Sequence, residues 1–150
     1  MKDRERTMSN QQHAPNAPKA WLFLILFAFG GLLMAGCDSY GENIVVNGTE
    51  IYFKGDGVTK ADAEKLGKYL LDNEFADGNG KSVQLAKEEG VWQFRMVTLE
   101  SFHDDADFAN LAGEMAAEMS QVVFDSQSVE FHLCDDEFNT VKRIQAATQP

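Results

Sequence analysis

NIVVNGTEIYFK, residues 43–54, is the stretch that decides how the fold begins. Two runs rich in β-branched and aromatic residues flank Asn47 and Gly48, and an Asn-Gly pair between such runs is the strongest short-range signal for a β-hairpin. Gly55 and Gly57 follow the second run and predict that the strand ends there. We therefore expect the folded part of the chain to begin with two antiparallel strands.

Directly after this hairpin, the sequence predicts an amphipathic helix from Thr59 to about Asn73. Thr59 followed by Asp62 has the spacing of a capping box, in which each side chain accepts a hydrogen bond from the backbone of the other residue. Leu66 and Leu70 fall on one face of the helix, and charged residues fall on another. Such a helix is expected to lie with its apolar side against a sheet.

Further strands and a second helix are predicted downstream. Residues 82–87 and 91–98 should form a hairpin, and residues 127–134 and 140–144 should form two more strands. Residues 104–124 have the period of a long helix that faces the core. Its apolar stripe consists of Phe108, Leu111, Ala112, Met115, Met119, Val122 and Val123.

The fold class predicted from this order is α+β. The expected architecture is an antiparallel sheet of about four to six strands with both helices on one face. When the first and last strands are left out, the remaining order matches the split βαβ, or ferredoxin-like, arrangement. Residues 44–146 should form this single domain, with residues 147–150 as a tail. A binding site is then expected on the other face of the sheet.

Length and charge limit the classes of partner. The chain has 150 residues, with 13 Lys and Arg against 24 Asp and Glu, and a formal net charge of −11. This length suits one domain. An acidic chain lacks the basic surface that binds phosphate backbones and anionic lipid headgroups. Direct binding to nucleic acid is therefore not expected.

An uncharged apolar run lies near the N-terminus. Residues 20–35, AWLFLILFAFGGLLMA, contain no charged residue and follow a polar stretch that holds four basic residues. As a helix the run would span about 24 Å, which is less than the roughly 30 Å hydrocarbon core of a bilayer. A short apolar segment after a basic one is typical of a signal peptide.

The run ends in LMAGC, residues 33–37, which resembles the lipobox of bacterial lipoproteins. The resemblance implies that residues 1–36 are a signal peptide removed by cleavage, that Cys37 carries the lipid, and that residues 37–43 form the lipidated cysteine and a short tether. Two or three acyl chains anchor a protein stably in a membrane. Asp38 resembles the signal that retains Gram-negative lipoproteins at the inner membrane, which implies its periplasmic face.

Two other interpretations of the apolar run stay open, namely an uncleaved membrane anchor and a core-like stretch with an incidental cysteine. Translation from Met8 instead of Met1 would shorten the polar stretch before the run. Without residues 1–36, the chain keeps 9 basic and 22 acidic residues and a net charge of −13. Because Cys37 is assigned to the lipid, Cys134 has no partner for an intramolecular disulfide.

Three residues with chemically useful side chains alternate on the strand predicted at residues 127–134. Glu130, His132 and Cys134 should share the face that points away from the core. They could ligate a metal or pair a cysteine with a histidine base. Side chains two apart on one strand should diverge, so we expect a polar face with no metal and no cofactor. Arg95 should lie on this face, either as an ion-pair partner of Glu130 or as an anion-binding residue.

Other motifs have structural explanations. The aspartates at positions 104, 105 and 107, beside His103, suit the positive end of a helix dipole and are interpreted as capping residues. Residues 77–88 lack the glycine and one of the ligands of a calcium-binding EF-hand loop. Gly55-Asp56-Gly57 lacks the further residues of a phosphate-binding loop and is interpreted as a turn.

Two functional hypotheses follow. The leading one is a membrane-anchored bacterial lipoprotein with a small acidic, non-catalytic domain that binds a protein partner in the cell envelope. The alternative is a small periplasmic enzyme or metal-binding protein that uses the strand face with Glu130, His132 and Cys134.

Overall fold

The computed structural model describes residues 40–148, so the predicted signal peptide, Cys37 and Asp38 lie outside the described residues. The described elements are, in chain order, β1 (Glu42–Val46), β2 (Thr49–Phe53), α1 (Lys60–Asp72), β3 (Lys81–Glu88), β4 (Val91–Val97), a 3₁₀ turn (Glu100–Phe102), α2 (Ala106–Val122), β5 (Val129–Cys134) and β6 (Thr140–Gln145). Neither α1 nor α2 is long and apolar enough to cross a membrane.

The strands of residues 40–148 form one six-stranded mixed sheet, in the linear order β1-β2-β3-β4-β5-β6. Each hairpin is antiparallel, whereas β2 pairs with β3 and β4 pairs with β5 in parallel. The α+β class is confirmed. The prediction of a purely antiparallel sheet is wrong, because each helix carries the chain back to the end where the preceding strand began, so that the next strand runs parallel to it.

The split βαβ arrangement is also wrong. That arrangement needs a strand inserted between the two strands that a helix connects, but here the connected strands are direct neighbours. Both helices lie on the same face of a linear sheet, and the two crossovers start from antiparallel strands. The two crossovers must therefore have opposite handedness. One of them is left-handed, although crossovers between parallel strands are nearly always right-handed.

The predicted start of α1 is confirmed, and α2 begins two residues after the predicted residue 104. Thr59 and Asp62 form the reciprocal capping box at the start of α1. At the start of α2, the Asp105 side chain accepts hydrogen bonds from the backbone N–H groups of Asp107 and Phe108, at 2.9 and 3.0 Å. The Thr59 hydroxyl caps α1 and the Asp105 carboxylate caps α2.

The apolar stripe of α2 is narrower than predicted. Leu111 is 61% exposed and Val122 is 67% exposed, so their assignment to the core is wrong. Both residues lie about 80 to 100° around the helix axis from Ala112, which is buried. The centre of the buried face is formed by small residues instead, because Ala112 and Ala116 bring the helix close to the sheet.

Both helices approach the sheet closely through a glycine. The core between them contains Ile51, Leu66, Leu70, Phe94, Met119 and Phe131. A Cβ atom on Gly67 of α1 would lie 2.7 Å from Cγ2 of Val46, and one on Gly113 of α2 would lie 3.2 Å from the carbonyl oxygen of Gln145. The backbone N–H of Ala147 donates to the Gly113 carbonyl at 2.9 Å. The first residue of the predicted tail therefore takes part in the fold.

Candidate functional site

The four predicted site residues share the sheet face that points away from the helices. Arg95 on β4 lies opposite His132 on β5 in the parallel register, and Glu130 and Cys134 flank His132 on the same strand. Their chain neighbours, such as Phe94 and Phe131, point into the core. The alternation that the sequence predicted therefore holds for all four residues.

This second face is not open at its centre. His132 and Cys134 have no exposed surface, and neither has Gln84 on β3. Tyr40 contributes to this burial, since its carbonyl oxygen accepts a hydrogen bond of 2.9 Å from the Gln84 side chain. The Tyr40 ring also packs edge to face against Tyr52, at 5.8 Å between centroids. Tyr40 belongs to the predicted tether, yet it packs as part of the domain.

Arg95 is held by neighbouring side chains of β3 and β4. Its Nε and Nη2 atoms donate to Oε1 of Gln93, at 2.9 and 2.6 Å, and its Nη1 donates to Oε1 of Gln84 at 3.3 Å. Its ion pair is with Glu88, where Nη2 and Oε1 are 3.3 Å apart. Glu130 is not its partner, because the guanidinium leans along the strand toward the β3–β4 turn. The Arg95 side chain is only 14% exposed. Its guanidinium joins the side chains of Gln84, Gln93 and Glu88 on this face.

Glu130, His132 and Thr140 form a second hydrogen-bonded group. The distance from His132 Nε2 to a Glu130 carboxylate oxygen is 3.0 Å, and that from Nδ1 to the Thr140 hydroxyl oxygen is 2.9 Å. The other Glu130 oxygen accepts from the Gln145 amide at 2.7 Å. Side chains two apart on β5 thus converge here. Thr140 and Gln145 were not among the predicted site residues, although a strand was predicted at residues 140–144.

The environment of this group sets its charge. Burial lowers the pKa of His132 below its usual 6.5, against the opposing effect of Glu130, and the hydrogen bond from His132 lowers the pKa of Glu130 below its usual 4.5. At neutral pH the pair is therefore a neutral imidazole and a carboxylate. One tautomer satisfies all the contacts, with Nε2–H donating to Glu130 and Nδ1 accepting from the Thr140 hydroxyl.

Cys134 is not paired with the imidazole of His132. Its thiol instead makes a weak contact with the His132 backbone carbonyl, at 3.7 Å from Sγ to the oxygen. Burial raises the pKa of the Cys134 thiol to about 11. The thiol is therefore protonated at neutral pH, and a protonated, fully buried thiol is a poor nucleophile.

Acidification is expected to destabilise the domain through His132 and Glu130. Because burial lowers the folded-state pKa of His132, the unfolded chain binds a proton first as the pH falls below 6.5, and the free energy of unfolding decreases. The free energy of unfolding decreases further below pH 4.5, because the pKa of Glu130 is lowered in the folded state and the unfolded chain therefore binds this proton first. Arg95 and Arg143 also face His132 and oppose its protonation. Urea unfolding at a series of pH values measures this decrease.

Substitution of the histidine assigns the effect. His132→Gln should flatten the pH dependence of the free energy of unfolding between neutral pH and pH 5, because it removes the buried imidazole that resists protonation. An unchanged slope in His132→Gln would contradict the assignment.

The other motifs fall where they were expected. Asp105 caps α2, and the Asp77 carboxylate pairs with Lys81 within its own turn. Across residues 40–148, no group of three or more His, Cys, Asp or Glu side chains is placed to hold a metal ion.

An aromatic pocket lies at the end of the sheet where β3 begins and β4 ends. Its volume is about 410 Å³. Its lining includes the aromatic and polar residues Tyr40, Tyr52, Lys81, Ser82, Asp136 and Phe138. Sequence reasoning did not find this pocket, because its aromatic rings come from three separate segments: the stretch before β1, strand β2 and the β5–β6 loop.

Comparison with known proteins identifies a family. The model of the AF_1994_N family, described as a family N-terminal domain, matches residues 43–146. This range includes both helices and nearly all of the sheet. No curated protein and no solved structure matches the chain.

Proposed function

The chain belongs to the AF_1994_N family through residues 43–146, and we propose that it is a lipid-anchored bacterial protein whose domain binds a partner in the cell envelope. The anchor part of the proposal rests on the sequence LMAGC at residues 33–37, after the uncharged run at residues 20–35. Small residues before a cysteine suit cleavage and acylation at that cysteine. Asp38 supports retention at the periplasmic face of an inner membrane.

Binding rather than catalysis is supported by the state of the candidate catalytic groups. Cys134 is buried and protonated, and the ring nitrogens of His132 are both occupied by Glu130 and Thr140. Arg95 is committed to two glutamine side chains and Glu88. The alternative, a periplasmic enzyme that uses this strand face, would need at least one of these groups to reach a substrate.

The charge of the domain favours a partner that is not a polyanion. A net charge of −13 after residue 36 repels nucleic acid and anionic lipid headgroups and attracts basic surfaces. The same charge would keep the domain away from an anionic bilayer surface, so that its exposed surfaces face the envelope space. A protein partner with a basic contact surface therefore fits best.

Substitution of the predicted lipidation site tests the proposal. Cys37→Ser should abolish labelling of the chain by a fatty-acid analogue in bacterial cells, block cleavage after Gly36, and remove the cross-linked partner recovered from membranes. Cys134→Ser is the matched control, because it removes the other cysteine and should retain all three signals. Labelling is read on gels and cleavage by mass spectrometry.

The outcomes separate the two parts of the proposal. If Cys37→Ser is still labelled, the anchor is wrong. If the wild-type chain is labelled but cross-linking repeatedly yields no partner, the anchor stands and the binding function is wrong.

A further inference from the structure

The aromatic pocket combines the features of a site for a small ligand. It is concave, has a volume of about 410 Å³, and is lined by three aromatic residues together with a few polar side chains. Pockets of roughly 300–1,000 Å³ with this mixture are typical of small-molecule sites. The family description names no ligand for this pocket, and the four residues singled out in the sequence do not line it.

The three rings of the pocket form a mutually packed triangle. The centroid of Tyr40 lies 5.8 Å from that of Tyr52 and 5.5 Å from that of Phe138, and Tyr52 and Phe138 are 5.7 Å apart. All three pairs are edge-to-face contacts, which fix the rings in place. An aromatic face carries partial negative charge, and cations bind to it, whereas neutral groups of the same shape gain only dispersion.

The charged groups around the rings leave the pocket negative. Asp136 is exposed, and its carboxylate makes no hydrogen bond or ion pair with the residues that the structure describes. Glu50 lies beside the pocket wall and accepts hydrogen bonds from the Tyr52 hydroxyl at 3.3 Å and the Ser82 hydroxyl at 3.1 Å.

Lys81 does not offset this charge. Its ammonium group donates to the Phe75 carbonyl oxygen at 2.9 Å and pairs with the Asp77 carboxylate. The one basic side chain of the pocket wall is thus already neutralised by a carboxylate outside the pocket. The remaining charge at the rim is that of Asp136.

We infer that the aromatic pocket binds an organic ammonium group, which places its charge near Asp136 and its alkyl groups against Tyr40, Tyr52 and Phe138. The three rings contact the alkyl groups of the ligand, and the negative charge of the Asp136 carboxylate attracts the positive charge of its ammonium group. Recognition of quaternary ammonium groups by aromatic side chains follows the same physics. The site goes beyond the proposed partner binding and does not depend on the lipid anchor.

Calorimetric titration of the full-length chain, held in a neutral sugar detergent, tests the inference. The probe is choline, and its matched control is the carbon isostere in which a tert-butyl group replaces the trimethylammonium group. Choline should bind saturably and the isostere should not. Titration with Nα-acetyl-lysinamide in the same buffer shows whether the pocket prefers a free quaternary ammonium compound or the ammonium group of a lysine side chain.

Two variants locate the binding. Asp136→Asn should weaken choline binding by about twofold to fivefold, the size of an exposed charge interaction. Glu137→Gln is the matched control, because it removes the same charge from the same loop but does not line the pocket. Asp136 has no hydrogen bond or ion pair to lose among the described residues, so its substitution should not affect folding. Tyr52→Leu should also weaken binding, by about threefold to tenfold.

Three results would overturn the inference: no saturable binding of choline, equal binding of choline and its isostere, or equal weakening by Asp136→Asn and Glu137→Gln. The last result would mean that the overall negative field of the domain attracts the cation. None of these results would affect fatty-acid labelling or partner cross-linking, so the proposed function can fail or survive separately.

Discussion

Replacement of Phe94 by alanine is expected to lower the free energy of unfolding by about 3–5 kcal/mol. Phe94 lies at the centre of β4, and its side chain has no exposed surface. Its ring packs edge to face against Phe131 at 4.9 Å and against Phe75 at 6.1 Å between centroids. Truncation removes these contacts and leaves a cavity where β-strands and helices meet, so the surrounding side chains cannot collapse fully. Urea unfolding monitored by circular dichroism measures the loss.

Leu99→Ala is the control for this prediction. Leu99 is a large apolar residue in the connection that follows β4 but is 72% exposed, so its truncation should change stability by no more than about 0.5 kcal/mol. A loss below about 1 kcal/mol for Phe94→Ala, or equal losses for the two variants, would contradict the placement of Phe94 at the centre of the core.

The elements of this fold were predictable because their signals are local. Asn47-Gly48 determines the first hairpin through backbone conformations that this pair adopts easily, and Asn47 indeed has a φ of 42°. The Thr59 capping box and the Asp105 cap determine where the helices begin. Each of these signals needs only a few neighbouring residues, so one sequence is sufficient to identify it.

The order of the strands was not predictable in the same way. A helix can return the chain to a direct neighbour or to a strand one place further along, and both choices bury the same apolar faces. The structure takes the direct neighbour twice, with Ile51 opposite Val83 and Phe94 opposite Phe131. These contacts join residues that are far apart in sequence, and the alternation of side chains is identical in either arrangement.

In the candidate site too, features that depend on neighbouring residues were predictable and contacts between distant segments were not. Alternation along β5 correctly placed Glu130, His132 and Cys134 on one face. Their partners could not be found by alternation, because Thr140 depends on the register of β6, which is irregular near Cys134. The burial of the centre of this face depends on Tyr40, which lies before the first strand. The sequence therefore predicted which side chains share the face but not which of them meet.

Arg95→Leu is expected to destabilise the domain by about 1–3 kcal/mol for each buried amide oxygen that it leaves without a donor. Two such oxygens exist, on Gln84 and Gln93, and both residues are almost completely buried. Leucine fills part of the volume of the arginine stem but offers no donor. Loss of the guanidinium would also leave Glu88 without its ion pair.

Arg143→Leu provides a matched comparison on the same face. Arg143 is exposed on β6, makes no hydrogen bond or ion pair with the described residues, and acts on Glu130 and His132 only through its charge. The same substitution should therefore change stability at neutral pH by no more than about 0.5 kcal/mol. Urea unfolding of both variants decides between two roles for Arg95. If Arg95→Leu is as stable as Arg143→Leu, the guanidinium is not needed for the polar face, and an anion-binding role for Arg95 gains support. If only Arg95→Leu is destabilised, Arg95 serves the fold, and any ligand site on this domain must be sought elsewhere, with the aromatic pocket as the first place to test.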